Sequence, residues 1–323
     1  MKGLTDIAGI RVGHATDLTA ATGCTVILFP QGAVAGVDVR GSAVGERELE
    51  CLRPGHLVDR IHALVLAGGS AFGLEAAGGV MRYLEEQGIG FDTGVARVPI
   101  VPAAILFDLG IGDGKRRPDA AMGYAAAQCA SADKVEEGSV GAGTGATVGK
   151  LFGVKQASKG GLGTTTAELP GEVLVSALVV VNAYGDVRDP ATGKIIAGAR
   201  RAPDSHEFAD MSAQMKQGVT RPGFGALSTT LAVVATNALL DRAQASKLAA
   251  MAQNGLARAI SPVHTLFDGD IVFALSLGAK PVDLNTLGSL AAEVVTQAIV
   301  RGVTQATTLA GVPALRDLKR KSN

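Results

Sequence analysis

Large side chains are scarce in this sequence and glycine is abundant. Of 323 residues, 43 are glycine, 4% are aromatic and none is tryptophan. A core built mainly from Ala, Val, Leu and Gly lets backbones approach closely, with many tight turns. Both properties favour sheets stacked against helices. With 47% hydrophobic and 19% charged residues, the chain can bury a sizeable core. Its length fits one large domain or two ordinary ones.

The formal net charge is zero and the sequence pI is about 7.0. No basic stripe marks a nucleic-acid binder, so nucleic acid is not an expected partner. Arg316, Lys319, Arg320 and Lys321 form a short basic tail, read as a solvated helix end. Cys24, Cys51 and Cys129 are odd in number and widely spaced, which speaks against disulfide scaffolds and zinc sites and fits a reducing compartment. The opening MKGLTDIAGIRVGH has no apolar signal-peptide core, and no apolar run approaches the roughly 18 residues of a membrane span. A cytoplasmic location is expected.

Along the chain, Gly23–Pro30 and Gly32–Gly41 read as the strands of a hairpin, bounded by Gly and Pro. Ile61–Ala67 is a buried-strand run, Gly68–Gly73 a glycine turn, and Phe72–Gln87 a helix. That helix turns Leu74, Ala77, Val80, Met81 and Leu84 inward and ends at Gly88. Pro99–Asp108 reads as a strand, Ala120–Ala130 as a small-residue helix, and Val173–Ala183 as the strongest strand. Arg188–Gly225 is a polar excursion, read as partly mobile. Beyond it come a strand at Thr229–Asn237, a helix at Asp241–Ala259, a strand at Asp270–Leu275 and a long helix at Leu284–Ala310. Neither half looks complete alone, so one intertwined domain over 1–323 is the economical reading.

The junction GALSTTLAVVATN brings a Pro/Gly-rich segment directly into a buried strand at three hydroxyl residues. If the bond before Thr229 is cut, its hydroxyl becomes a nucleophile and its own free amine a base. An α-amino group has a pKa near 8, so part of it is unprotonated at neutral pH. Alternatively, Ser228, Thr229 and Thr230 are plain strand-entrance residues. Asp268 and Asp270 flank Gly269 before another apolar strand, where like charges raise one pKa or orient an ammonium or hydroxyl; the alternative is a polar turn. Asn182 ends an apolar run, as an oxyanion donor or as a turn former.

The segment GAGTGATVGKLFG invites a phosphate-loop reading that fails. Thr144 stands where the first glycine belongs, and Leu151 follows Lys150 in place of Ser or Thr. A dinucleotide fingerprint fails at Ala146. What remains is a close backbone approach with Lys150 beside it, a residue able to position a proton or offset a carboxylate. His14, His56, His62, His206 and His264 show no metal-ligand spacing and no hydrolase motif, so a histidine-based triad is not supported. His62, within an apolar run, reads as a satisfied core residue.

Taken together, GLTDIAGIRVGHAT, LAGGSAFGLEAAGGVMRYLEE, VPIVPAAILFDL, GAGTGATVGK, VVVNAYGDV, TTLAVVATNA and FDGDIVFALS resemble one family over nearly the whole chain. This is the P1 peptidase group of L-aminopeptidase/D-esterases, β-peptidyl aminopeptidases and nylon-oligomer hydrolases. The resemblance implies an α/β fold, a four-layer α/β/β/α sandwich with Ntn-hydrolase-like layering and the connectivity of aminopeptidases and ornithine acetyltransferases. It implies self-cleavage between Ser228 and Thr229 into an α chain, 1–228, and a β chain, 229–323. It maps the nucleophile to Thr229, the oxyanion donor to Asn182, the glycine-loop lysine to Lys150, and an acidic pair to Asp268 and Asp270.

Ser228 stands where relatives often carry Asn or Gly, and Phe107 where some carry a tyrosine. The Asp-x-Asp pair matches the nylon-oligomer branch, against Ser-x-Glu in the aminopeptidase branch. The expected substrate is a small peptide or amide, with no metal or organic cofactor, and processed α/β units are expected to form a homotetramer. Two rivals stand beside this reading: an acyltransferase of the ornithine acetyltransferase-like fold, and a non-catalytic small-molecule binding protein retaining the sandwich.

Overall fold

The structure, a computed structural model, describes residues 1–220 and 227–319. Its frame consists of β1 (Arg11–Asp17), β2 (Thr22–Val39), β3 (Ile61–Ala67), β4 (Ala103–Ile105), β5 (Gly161–Leu169), β6 (Val173–Asn182), β7 (Thr229–Ala238) and β8 (Ile271–Lys280). Long helices α1 (Ala76–Glu86), α2 (Ala120–Gln128), α3 (Arg242–Ala259) and α4 (Leu284–Gln305) cover them. The hydrogen-bonded order is β5–β6–β7–β8–β2–β3–β4, with β1 also paired to β2.

Strand alternation makes the layers. On β2, Cys24, Val26 and Leu28 pack with α1 and α2, whereas Ile27 and Phe29 face the other way. On β3, Ala63 and Val65 turn to those helices while Leu64 and Leu66 turn inward. On β6 and β7, Val179, Val181, Ala232 and Val234 meet α3 and α4, and Val180, Leu231 and Val233 join the same inner core. Each fully buried Val or Leu stabilises by about 1.5–3 kcal/mol relative to exposure. The order is therefore α1/α2, β1–β4, β5–β8, α3/α4, the expected four-layer α/β/β/α sandwich.

The glycine content works as the composition suggests. Where α1 crosses α2, a Cβ on Gly79 would lie 1.8 Å from the Ala120 carbonyl oxygen, and one on Gly123 would lie 1.9 Å from that of Ala76. Only glycine permits this approach. Asp241 caps α3 in a box with Gln244, and Asp283 caps α4.

The expected hairpin is instead one 18-residue strand, β2. Its first half pairs with β1 and β3 and its second half with β8, and the β3 ladder shifts register between Leu28 and Ala33. Pro30 and Gly32 sit in that gap, where no ladder donor is required. The apolar stretch at Pro99–Asp108 is strand only over Ala103–Ile105, and the long helix α4 stops at Gln305, not Ala310. The excursion is ordered over its described part: the Asp186 carboxylate accepts from Ala199 N and Met211 N at 2.8 Å each, and Arg188 pairs with Asp210. Positions 221–225 of that excursion, and Arg320 and Lys321 of the basic tail, lie outside the described residues. No described helix is long and apolar enough to cross a membrane.

Candidate active site

The sheet topology gathers the site at one end of three strands. β7 and β8 run parallel, with Leu231 opposite Ile271, so the residues entering them are neighbours. Thr229 enters one; Gly269 and Asp270 enter the other. β6 runs antiparallel to β7, and its last residue, Asn182, lies opposite Thr229. Ser228, Thr229, Asn182, Lys150, Asp268 and Asp270 are all buried, none more than 2% exposed. All six residues singled out in the sequence are thus brought together.

The Ser228–Thr229 peptide is gripped from two sides. The Ser228 carbonyl oxygen accepts from Gly269 N at 2.8 Å and from Thr229 Oγ1 at 2.6 Å. Ser228 N donates to the Phe267 carbonyl at 2.8 Å. A Cβ on Gly269 would meet the Ala43 carbonyl oxygen at 2.3 Å and Thr229 Oγ1 at 3.0 Å, so glycine is what lets this turn lie against the hydroxyl.

Asn182 is locked by its neighbours. Its Oδ1 accepts from Lys150 Nζ at 2.7 Å and Thr147 N at 3.0 Å, which fixes which end of the amide is NH₂. Nδ2 donates to the Phe107 carbonyl at 3.2 Å. Phe107, noted for lacking a hydroxyl, thus contributes through its backbone. Lys150 Nζ also donates to the Asn182 carbonyl at 3.1 Å and to Ser228 Oγ at 3.2 Å, joining the glycine-rich loop to the Ser228–Thr229 junction.

The two carboxylates have different partners. Asp268 accepts from Tyr184 N at 3.0 Å, Thr265 N at 3.0 Å and Thr265 Oγ1 at 2.6 Å. Burial, with the Asp270 charge beside it, nevertheless pushes the Asp268 carboxyl up to about 6. Asp270 accepts from Thr230 N at 2.7 Å through Oδ1. Its Oδ2 meets His264 Nδ1 at 2.9 Å and His264 N at 3.3 Å.

Sequence reasoning did not single out His264, Gly269 or Thr147, nor a deeper pair, Asp108 and Lys159. Lys159 is fully buried, and its Nζ donates to the carbonyls of Thr144 at 2.8 Å and Ala146 at 2.7 Å. Burial pulls its pKa down to about 7 against the opposing field of Asp108. The Asp108 carboxylate accepts from Gly69 N at 2.6 Å and Thr22 Oγ1 at 2.7 Å. These two residues stake the chain beside Thr147 and Phe107, the backbone partners of Asn182. His62 accepts from Ile100 N at 3.1 Å, the satisfied core role read from its apolar run. Among the described residues, no three His, Cys, Asp or Glu side chains gather into a metal-holding group.

The chain that carries this arrangement is similar to known proteins in sequence and in fold. The family model "Peptidase family S58" covers residues 2–315. An uncharacterized aminopeptidase of Mycobacterium tuberculosis is 42% identical, over 98% of both chains. A 6-aminohexanoate-oligomer endohydrolase of a Kocuria strain is 32% identical, over 91% of this chain and 84% of its own. Among solved structures, a Burkholderia β-aminopeptidase superposes with a TM-score of 0.72 at 22% identity, covering 99% of this chain and 94% of that one. The L-aminopeptidase/D-Ala-esterase of Ochrobactrum anthropi, described as a variant of the Ntn-hydrolase fold, gives a TM-score of 0.71 at 20% identity, covering 94% and 86%. At these identities the superpositions speak to the fold.

Proposed function

The chain belongs to peptidase family S58 and is a hydrolase of the aminopeptidase kind, and from that premise we propose that Thr229 is its nucleophile, freed by cleavage of the Ser228–Thr229 bond. The observation that carries this reading is the grip on the uncut junction. The carbonyl to be attacked rests on the Gly269 N–H, and the attacking hydroxyl is already in contact with it.

In the first stage, Thr229 Oγ1 adds to the Ser228 carbonyl carbon and negative charge moves onto the oxygen held by Gly269. The C–N bond then breaks, the nitrogen takes a proton, and Ser228 is left esterified to Thr229. Water hydrolyses that ester, leaving a Ser228 carboxylate and a free Thr229 amine. The amine is part of the peptide bond throughout the attack, so it cannot be the base; Asp268 and Asp270, either side of the Gly269 turn that lies against the hydroxyl, are assigned that part, and after the cut Asp270 orients the nucleophile through the Thr230 N–H. In the second stage the freed amine accepts the proton of its own hydroxyl as that hydroxyl attacks a substrate amide. Asn182 Nδ2, oriented by Lys150 and Thr147, donates to the developing oxyanion, a contribution of about 3 kcal/mol by the measure of comparable sites.

The cut leaves one intertwined domain. β7 and β8 belong to the piece 229–323 yet lie between β6 and β2 of the piece 1–228, so neither piece holds a complete sheet. The substrate class is amides of small amino acids or short ω-amino-acid oligomers, the latter suggested by the name of the 32%-identical endohydrolase.

Mass spectrometry of the purified protein, followed by assays with p-nitroanilides of small L-amino acids and short ω-amino-acid amides, tests both stages. Two fragments divided at Ser228/Thr229 are expected from the parent and one intact, inactive chain from Thr229→Ala. Activity surviving in Thr229→Ala would refute the nucleophile.

A further inference from the structure

His264 stands out because the sequence gives it no role and the structure gives it a costly position. Its φ is +54°, a left-handed conformation that few non-glycine residues adopt. That conformation turns both its backbone N–H and its ring nitrogen Nδ1 onto one oxygen, Asp270 Oδ2. Asp270 Oδ1 meanwhile receives Thr230 N. Both backbone partners of Asp270, Thr230 N and His264 N, are donors, and the ring contact becomes a third such bond when Nδ1 carries the proton. The ring is 23% exposed and Asp270 1%, so His264 links solvent to a buried charge.

We propose that His264 is a positioning residue of this site: through Nδ1 it clamps the Asp270 carboxylate that holds the Thr229–Thr230 backbone. The inference rests on the assignment of Thr229 as nucleophile. Asp270 is in direct contact with the ring, Asp268 lies on the same turn, and Lys150 reaches the junction from the glycine-rich loop, bonded to Asn182 and Ser228. Lys150 serves the amide side of the site, and His264 the carboxylate side. Protonating the ring would bring a positive charge against Asp270, while the neutral Nδ1–H tautomer would keep the hydrogen bond without that charge.

Two substitutions separate the ring from the backbone. His264→Gly keeps the left-handed conformation and removes the ring. His264→Asn also tolerates that conformation, and its side-chain NH₂ can replace the Nδ1–H donor without titrating. Each purified variant is first checked by mass for the cut at Ser228/Thr229, and kcat and KM on a small amino-acid p-nitroanilide are then followed from about pH 5 to pH 9. His264→Gly is expected to lose roughly 10- to 100-fold in kcat, the range of a hydrogen bond to a charged group, with KM within about twofold. His264→Asn is expected to recover to within about threefold of the parent's kcat at the parent's optimum, because its side-chain NH₂ restores the donor to Asp270.

The proposal is overturned if cut His264→Gly keeps parent kcat, or if His264→Asn loses as much kcat as His264→Gly. A slowed cut in His264→Gly that is restored in His264→Asn supports the clamp at the step where Asp270 serves self-cleavage, and an uncut His264→Asn with the parent's melting temperature overturns it. A parent that is active but uncut would instead remove the Thr229 assignment itself, which tells the two failures apart.

Discussion

The backbone nitrogen of Gly269 lies 2.8 Å from the carbonyl oxygen of Ser228, the oxygen on which charge would build as Thr229 attacks. The donor is in place before any reaction, and it sits between the two carboxylates the sequence marks as a pair. The contact follows from the parallel pairing of β7 with β8, which sets the entrances of the two strands side by side.

Gly269→Ala is expected to cripple self-cleavage. The new methyl would meet the Ala43 carbonyl oxygen at 2.3 Å and press on Thr229 Oγ1, so the turn must move and carry its N–H away from Ser228. Loss of one such donor slows acyl transfer by roughly 10²- to 10³-fold. A time course of intact-chain mass after rapid purification checks this; parent-like cleavage would show that the contact is incidental.

If the Asn182 amide serves the transition state as proposed, Asn182→Ala lowers kcat by about 10²- to 10³-fold on amide substrates with little change in KM. Steady-state kinetics on a preparation whose cut has been verified decides this. A rise in KM with unchanged kcat would instead assign Asn182 to ground-state binding.

Lys159 gives a prediction about stability and pH. Its folded pKa is about 7, below the ordinary 10.5, because burial disfavours the ammonium. Between those values the unfolded chain holds a proton that the folded chain has released, so this residue makes stability rise with pH across that window. Below pH 7 both states are protonated and the burial penalty is complete. Denaturant unfolding at pH 7 and pH 9, in the single-chain Thr229→Ala background, should show a gain of about 2 kcal/mol that Lys159→Met lacks. Equal slopes in the two proteins would contradict the assignment.

Much of the frame is legible in the sequence, and what is not has physical causes. β3 and β7 are continuous apolar runs whose ends coincide with turn formers, so their limits lie within a residue of those expected. β2 defeats the same reading because Pro30 and Gly32, which ordinarily signal a turn, sit where one partner strand is exchanged for another. β5 reads poorly because Gly161 and Gly163 carry no strand preference. They are there because α4 packs on them: a Cβ on Gly163 would lie 2.1 Å from the Ala298 carbonyl oxygen.

The site divides along a similar line. Thr229, Asn182, Lys150 and the Asp268/Asp270 pair are side chains of unusual type at strand ends, where pattern makes them visible. Gly269 and Thr147 contribute backbone N–H groups, which every residue but proline has. His264 reaches Asp270 only because its loop doubles back through a left-handed residue, a conformation that spacing does not encode.

N-terminal sequencing of a preparation that hydrolyses amides bears most directly on whether Thr229 acts through its own freed amine. Two termini are expected, Met1 or its trimmed form and Thr229, with activity rising in step with the second. An active preparation showing the first terminus alone would contradict it.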